Sequence, residues 1–347
     1  MVWIILLALF SPAEAESPRS LVAVNRFECM IVRGSQHVID LAPVLEEALQ
    51  GGFRLIRIEG GDWDVSRTVT IHERETPLSI RGETSGEPVR ISGRSEPLLS
   101  IRNSREIRLE NLTLEGTVQL EQTEDIRIHS VHFRQGGVHL KGKRCNQPNE
   151  CTGFNRNIRI ENCIFEDFEK AIFAERMESS FISNNRFVGT GGRTSCEKME
   201  VAIELDGSSE DLDRPLEQGH SKGNQITGNS FEQELSIGIR VKVSLANVFR
   251  DNHFVRSFRA MEFLQGARYN QVLASYIGYL SQQPVTSACP APCGIYVGPG
   301  TFNNIFINNF FEQAFELQFL ERNRNTTFVI DESGNQNIFQ SDFLRLR

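Results

Sequence analysis

Apolar and polar residues alternate along this chain in short runs with a period of two, the signature of half-buried strands. Leu55–Ile58, Val69–Ile71, Leu78–Ile80 and Val89–Ile91 are the first of these runs, separated by Gly-rich turns. One earlier stretch has a different period. Asp40 to Gly51 (DLAPVLEEALQG) puts apolar residues at Leu41, Val44, Leu45, Ala48 and Leu49, opens on a capping Asp and stops at glycine. That spacing predicts one amphipathic helix.

The alternation is itself repeated. Four segments align without gaps: Asn224-x-Ile226-x-x-Asn229-x-Phe231, Asn247-x-Phe249-x-x-Asn252-x-Phe254, Asn270-x-Val272-x-x-Ser275-x-Ile277 and Asn304-x-Phe306-x-x-Asn309-x-Phe311. Weaker copies end at Leu114, Phe133, Phe165, Phe187 and Phe343, and a second short strand follows the copies, as in Ala202-Ile203-Glu204-Leu205 and Gly238-Ile239-Arg240-Val241. Units this short bury an apolar face only by stacking on their neighbours. Phe231, Phe254 and Phe311 then form an interior column, and Asn229, Asn252 and Asn309 a ladder that bonds the turns from coil to coil. The 24 Phe against 4 Tyr and 2 Trp fit such a column. The predicted fold is all-β: a single-stranded right-handed parallel β-helix from residue 40 to 347, with helix 40–51 as its N-terminal cap. Residues 16–39 are read as a separate N-terminal segment.

The capping helix, the strands, the Asn ladder and the Phe stack together resemble the pectate lyase-like superfamily of right-handed parallel β-helix proteins. The resemblance covers nearly the whole chain after residue 40. It implies a polysaccharide or oligosaccharide ligand held in a groove along the helix, with hydrolase or lyase chemistry as the leading expectation. A non-catalytic glycan-binding, cell-surface or periplasmic β-helix is the alternative. The motifs that mark individual families are missing. Only the order Asp206, Asp211, Gly219-His220 and Arg240-Val241-Lys242 follows that of polygalacturonases, with compressed spacing.

Val2 to Phe10 (VWIILLALF) followed by Ala13-Glu14-Ala15 reads as a signal peptide over residues 1–15, giving a secreted or periplasmic protein. No later stretch is long and apolar enough to span a bilayer. Hydrophobic residues make up 39% and charged ones 24%, ordinary globular values, and the net charge of -8 argues against nucleic acid as a partner. A monomer is expected. Seven cysteines in an exported chain predict disulfides: Cys145–Cys151 and Cys289–Cys293 close short loops, and Cys163, at a ladder position, stays free. No metal or other cofactor is expected. The acidic run from Asp206 to Asp213 offers oxygens for Ca²⁺ but lacks the spacing of a defined calcium loop.

Between the inward apolar residues of the second strand set, one outward row reads Gln119, His139, Phe173, Glu204, Arg240, Glu262, Tyr296 and Gln318, and a parallel one Glu121, Lys141, Glu175, Asp206, Lys242 and Leu264. Coils lie about 4.8 Å apart, so Glu204 and Glu262 would stand about 9.6 Å apart with Arg240 between them. That separation suits an inverting hydrolase. Glu204, Arg240 and Glu262 are the candidate catalytic residues, and His139, Asp206, Lys242 and Tyr296 the candidate substrate-binding residues. The plainer reading is a solvent-facing salt-bridge ladder. The 44 positions between Phe187 and Phe231 are the step at which an extra coil would break this register.

Overall fold

The computed structural model describes residues 21–33, 40–142, 153–190, 199–207, 220–233, 235–278, 293–313, 327–333, 337–340 and 343–346. Three sheets of 18, 11 and 10 strands, parallel apart from one N-terminal hairpin, run the length of the molecule and form a right-handed β-helix. The first holds strands such as Arg105–Glu110, the second Ser230–Glu232 and the third Ile237–Val241.

Helix α1 (Leu41–Gln50) closes the first coils as expected. Asp40 accepts from the Ala42 amide at 3.1 Å, and the Gly51 amide donates to Glu47 at 2.9 Å, satisfying orphan groups at both ends. Leu41, Ala42, Leu45 and Ala48 are buried beneath it. The solenoid begins ahead of this helix, whereas the sequence reading started it at Asp40. Leu21–Asn25 and Glu28–Ile31 form an antiparallel hairpin, and Glu28–Ile31 then pairs in parallel with Leu55–Ile58.

The Phe column is present. Phe133, Phe165, Phe187, Phe231 and Phe254 stack with centroids 4.4–5.0 Å apart and rings within 9° of parallel. Ile277 and Phe311 continue it in register. The Asn ladder is double. Asn185, Asn229 and Asn252 hydrogen-bond side chain to side chain, and the first Asn of each motif copy builds a second ladder through Asn224, Asn247, Asn270, Asn304 and Asn337. From Asn185 to Asn304, each ladder residue follows a corner residue in the left-handed region, such as Asp251 at φ 52° or Gly228 at φ 65°. Glycine and Asx residues tolerate that conformation, so these corners are rich in them. The Asn252 carboxamide accepts from the Asn229 amide at 3.1 Å and donates to the Ile226 carbonyl at 2.8 Å. We expect Asn252→Ala to cost about 1–3 kcal/mol by orphaning these buried groups. Urea unfolding checks it, and a loss near zero would remove the ladder from the account.

Cys163 replaces Asn in this ladder, with its amide donating to Asn185 at 2.8 Å. It is free and buried as expected, and burial pushes its thiol up to about 12. Cys293 is also free, and Cys289, its expected partner, lies outside the described residues. Cys293 opens the strand Cys293–Val297, fully buried and in register with Arg259. Cys145–Cys151, the signal segment, Asp211 and Gly219 lie outside the described residues. No helix among the described residues is long and apolar enough to cross a membrane.

Candidate functional site

The third sheet carries the predicted outward row in the predicted order as far as Tyr296, after which Ile330 takes the next place, while Gln318 lies outside the described residues. Gln119, His139, Phe173, Glu204, Arg240, Glu262 and Tyr296 pair on successive strands. Phe187 pairs directly with Phe231, so no extra coil intervenes, and Glu204, Arg240 and Glu262 stand on three consecutive coils.

Their environment differs from a solvent-facing ladder. Glu204 is 1% exposed and Glu262 5%. One Glu204 oxygen accepts from Lys242 Nζ at 2.6 Å; the other lies 3.0 Å from Lys170 Nζ and 3.8 Å from Arg240. Glu262 is gripped by Arg240 Nε at 2.6 Å and by Arg259 in a second, shorter contact. The row is a closed lattice of two carboxylates and four cations. Burial pushes the Glu204 carboxyl up, but Lys242 and Lys170 outweigh it and hold the group below the usual glutamate range.

Lys170 and Arg259 were invisible to a reading by strict alternation. They occupy a corner row with Val201, Ile237 and Cys293. Positions 238 and 239 both face inward: Ile239 is core, and a Cβ on Gly238 would meet the Phe254 ring at 2.6 Å. Alternation is broken there, and the residue before the small one is turned out to reach the carboxylates. Arg259-x-x-Glu262 and Lys170-Ala-Ile-Phe173 are the sequence traces of this corner.

The binding candidates surround the lattice. Asp206 lies 3.8 Å from Lys242. Burial, then Glu204 and Glu175, push its carboxyl up to about 6 against the pull of Lys242 and Lys170. A carboxyl raised in the folded state contributes stability below its ordinary value near 3.8, and that stability is lost as pH rises through about 6. Asp206→Asn is therefore expected to stabilise the protein at pH 7 by about 1–3 kcal/mol relative to its effect at pH 4. Thermal unfolding at the two pH values reads the difference, and an equal shift at both would contradict it. Tyr296 lies under the Arg259 guanidinium, 4.1 Å from the ring centroid, and its hydroxyl donates to Glu332 at 2.8 Å. Burial and that carboxylate push its phenol up to about 12. His139 sits apart from the lattice, facing the Lys170 carbonyl at 3.4 Å and the edge of Phe173, with burial holding its imidazole below the usual range.

Comparisons with known proteins bear on this geometry. The family described as Periplasmic copper-binding protein (NosD) matches residues 80–278. A search of curated proteins found no match. Among solved structures, the bacteriophage Phi29 gene product 12 N-terminal fragment aligns at 14% identity and TM-score 0.66, over 88% of this chain and 55% of that one. This chain thus spans about half of the phage fragment. DFA-IIIase from Arthrobacter chlorophenolicus A6 aligns at 11% identity and TM-score 0.57, over 92% of both chains. Alginate lyase from Paenibacillus sp. str. FPU-7 aligns at 11% identity and TM-score 0.55, over 88% of this chain and 95% of that one. These likenesses establish the parallel β-helix of the pectin lyase-like fold.

The described donors do not fit a copper centre, which calls for convergent Cys, Met or His. Among the described residues no three His, Cys, Asp or Glu come together as a metal site. Cys29, Cys163 and Cys293 are buried, with their thiols pushed up by that burial. His132 is taken by Glu166 at 2.9 Å, and His253 stacks on Tyr276.

Proposed function

The chain belongs to the NosD family, described as periplasmic copper-binding proteins, and from that premise we propose that it is an exported, non-catalytic β-helix protein. On this reading it binds a saccharide across the outer face of its third sheet. The ion pairing of both candidate catalytic carboxylates is the observation that carries it. A hydrolase needs one carboxyl that keeps a proton near the working pH. Glu204 is instead held ionised by two lysines, and two arginines hold Glu262. The same lattice serves binding well. It fixes Arg240 and Lys242 rigidly on one coil and Tyr296 two coils further on, and ordered hydrogen-bonding groups lose little freedom when a polyol settles on them. His139 and Asp206 flank that strip and complete the proposed surface. Export follows from the family and from the signal-like segment over residues 1–15.

A polysaccharide panel tests this reading. Native affinity electrophoresis should show retention by at least one polymer, with neither new reducing ends nor unsaturated ends in the same samples. Retention should weaken in Lys242→Gln and Tyr296→Ala. Cleavage by the parent that is lost in Glu204→Gln would replace this reading with an enzymatic one, and retention indifferent to both binding variants would remove the third sheet from it.

A further inference from the structure

The outer face of the first sheet carries two charge patterns on the same strands. One row alternates in sign: Arg105, Glu124, Arg156, Glu178 and Lys222 pair in turn. Arg156 and Lys222 bond Glu178 at 2.9 and 3.3 Å. That is the pattern a parallel sheet uses to stabilise itself. Three residues along the same strands the pattern changes. Arg108 pairs in register with Arg127, and Arg127 with Arg159, placing three guanidinium groups on consecutive coils with no acid between them. Like charges set about 4.8 Å apart across a sheet repel, so this row costs stability in the unliganded protein.

The row's ends and walls are shaped for a ligand. At its N-terminal end lies a cleft of about 360 Å³ lined by Arg54, Ser79, Arg108, Glu106 and Asp125. Arg108 makes no ion pair among the described residues. Arg127 reaches Glu161 at 3.1 Å, while its Nε is buried with no hydrogen-bond partner. At the other end the Arg159 guanidinium lies over the ring of Phe181, the next residue in the row, 5.3 Å from its centroid.

We propose that this row, distinct from the third-sheet face, binds a linear acidic saccharide lying along the helix axis. Arginines one coil apart take the anionic groups of successive sugars, the Glu106 and Asp125 carboxylates accept from sugar hydroxyls, and Phe181 offers an apolar face to a ring. Carboxylates that accept from hydroxyls favour a hydroxyl-rich polyanion over a nucleic acid, whose backbone offers phosphates but few hydroxyls. The overall charge of -8 does not oppose this, because charges beyond about 10 Å are screened at ordinary salt.

The probes are polygalacturonate, dextran sulfate and neutral dextran. The parent protein should be retained by at least one of the two acidic polymers, and the stronger of them identifies carboxylate or sulfate as the anion. Retention should fall as salt rises and be absent with neutral dextran. Arg108→Gln/Arg127→Gln/Arg159→Gln should weaken retention by about tenfold or more, the scale of losing several charge-assisted contacts. Its thermal midpoint should hold or rise, because repulsion is relieved. If the triple variant fails to fold, Arg108→Gln alone carries the test, since that side chain is exposed. Arg105→Gln/Arg156→Gln, in the alternating row, should bind as the parent does. Failure of both acidic polymers to bind, equal retention by neutral dextran, equal binding of duplex DNA, or an equal loss in the alternating-row variant would overturn the proposal. The third-sheet variants Lys242→Gln and Tyr296→Ala leave this row intact, so the two surfaces are read separately.

Discussion

Glu204→Gln is expected to destabilise the folded protein by about 2–4 kcal/mol, because it withdraws the one buried carboxylate on which three cations converge. Removing this one negative charge takes the partner at 3.0 Å from Lys170, leaves Lys242 with only Asp206 at 3.8 Å, and leaves Arg240 to Glu262 alone. A solvent-facing pair would cost under about 1 kcal/mol, so the size of the loss separates a buried lattice from a surface ladder. Its pH dependence runs opposite to that of Asp206. Glu204 is held below the usual glutamate range, so its contribution is present above that range and lost as pH falls through its lowered value. Urea unfolding of parent and variant at pH 7 reads the effect; a difference under about 1 kcal/mol would contradict the lattice.

Phe231→Ala is expected to cost about 3–5 kcal/mol. Its ring is fully buried, with Phe187 at 5.0 Å on one side and Phe254 at 4.4 Å on the other. Both neighbours lose a stacking partner, and in a solenoid each coil is held chiefly by the two beside it. Phe231→Leu, which keeps most of the volume, should cost under about 1.5 kcal/mol. Equal losses for the two variants in urea unfolding would contradict this, since retained volume would then do nothing to offset the lost ring.

Much of this architecture was legible in the sequence because a stacked fold writes its contacts as a fixed spacing. Asn229-x-Phe231 recurs as Asn252-x-Phe254 because each pair occupies the same corner and the same column one coil later. The third-sheet row from Gln119 to Tyr296 followed from the same period, and the direct pairing of Phe187 with Phe231 kept Glu204 beside Arg240.

What escaped the sequence depends on departures from alternation. Glu204 and Glu262 do point away from the core, yet they are buried. Lys170 and Arg259 reach them from a corner where two consecutive residues face inward. A period-two reading has no way to turn those side chains outward. The hairpin Leu21–Asn25 and Glu28–Ile31 escaped because it precedes the first repeat and pairs antiparallel, outside the repeat that revealed the rest. Cys293 looked like half of a local bridge by spacing alone, and spacing gave no sign that it opens a strand in register with Arg259.

The central claim is that Glu204 is a permanently ionised member of a lattice rather than a proton donor. The most direct measurement is a carbon-13 NMR titration of the Glu204 side-chain carboxyl in the full chain, assigned by comparison with Glu204→Gln. The account predicts a midpoint below that of an ordinary glutamate and no protonation step between pH 5 and 8. A midpoint at or above the ordinary glutamate value would contradict it and return Glu204 to the role of a general acid.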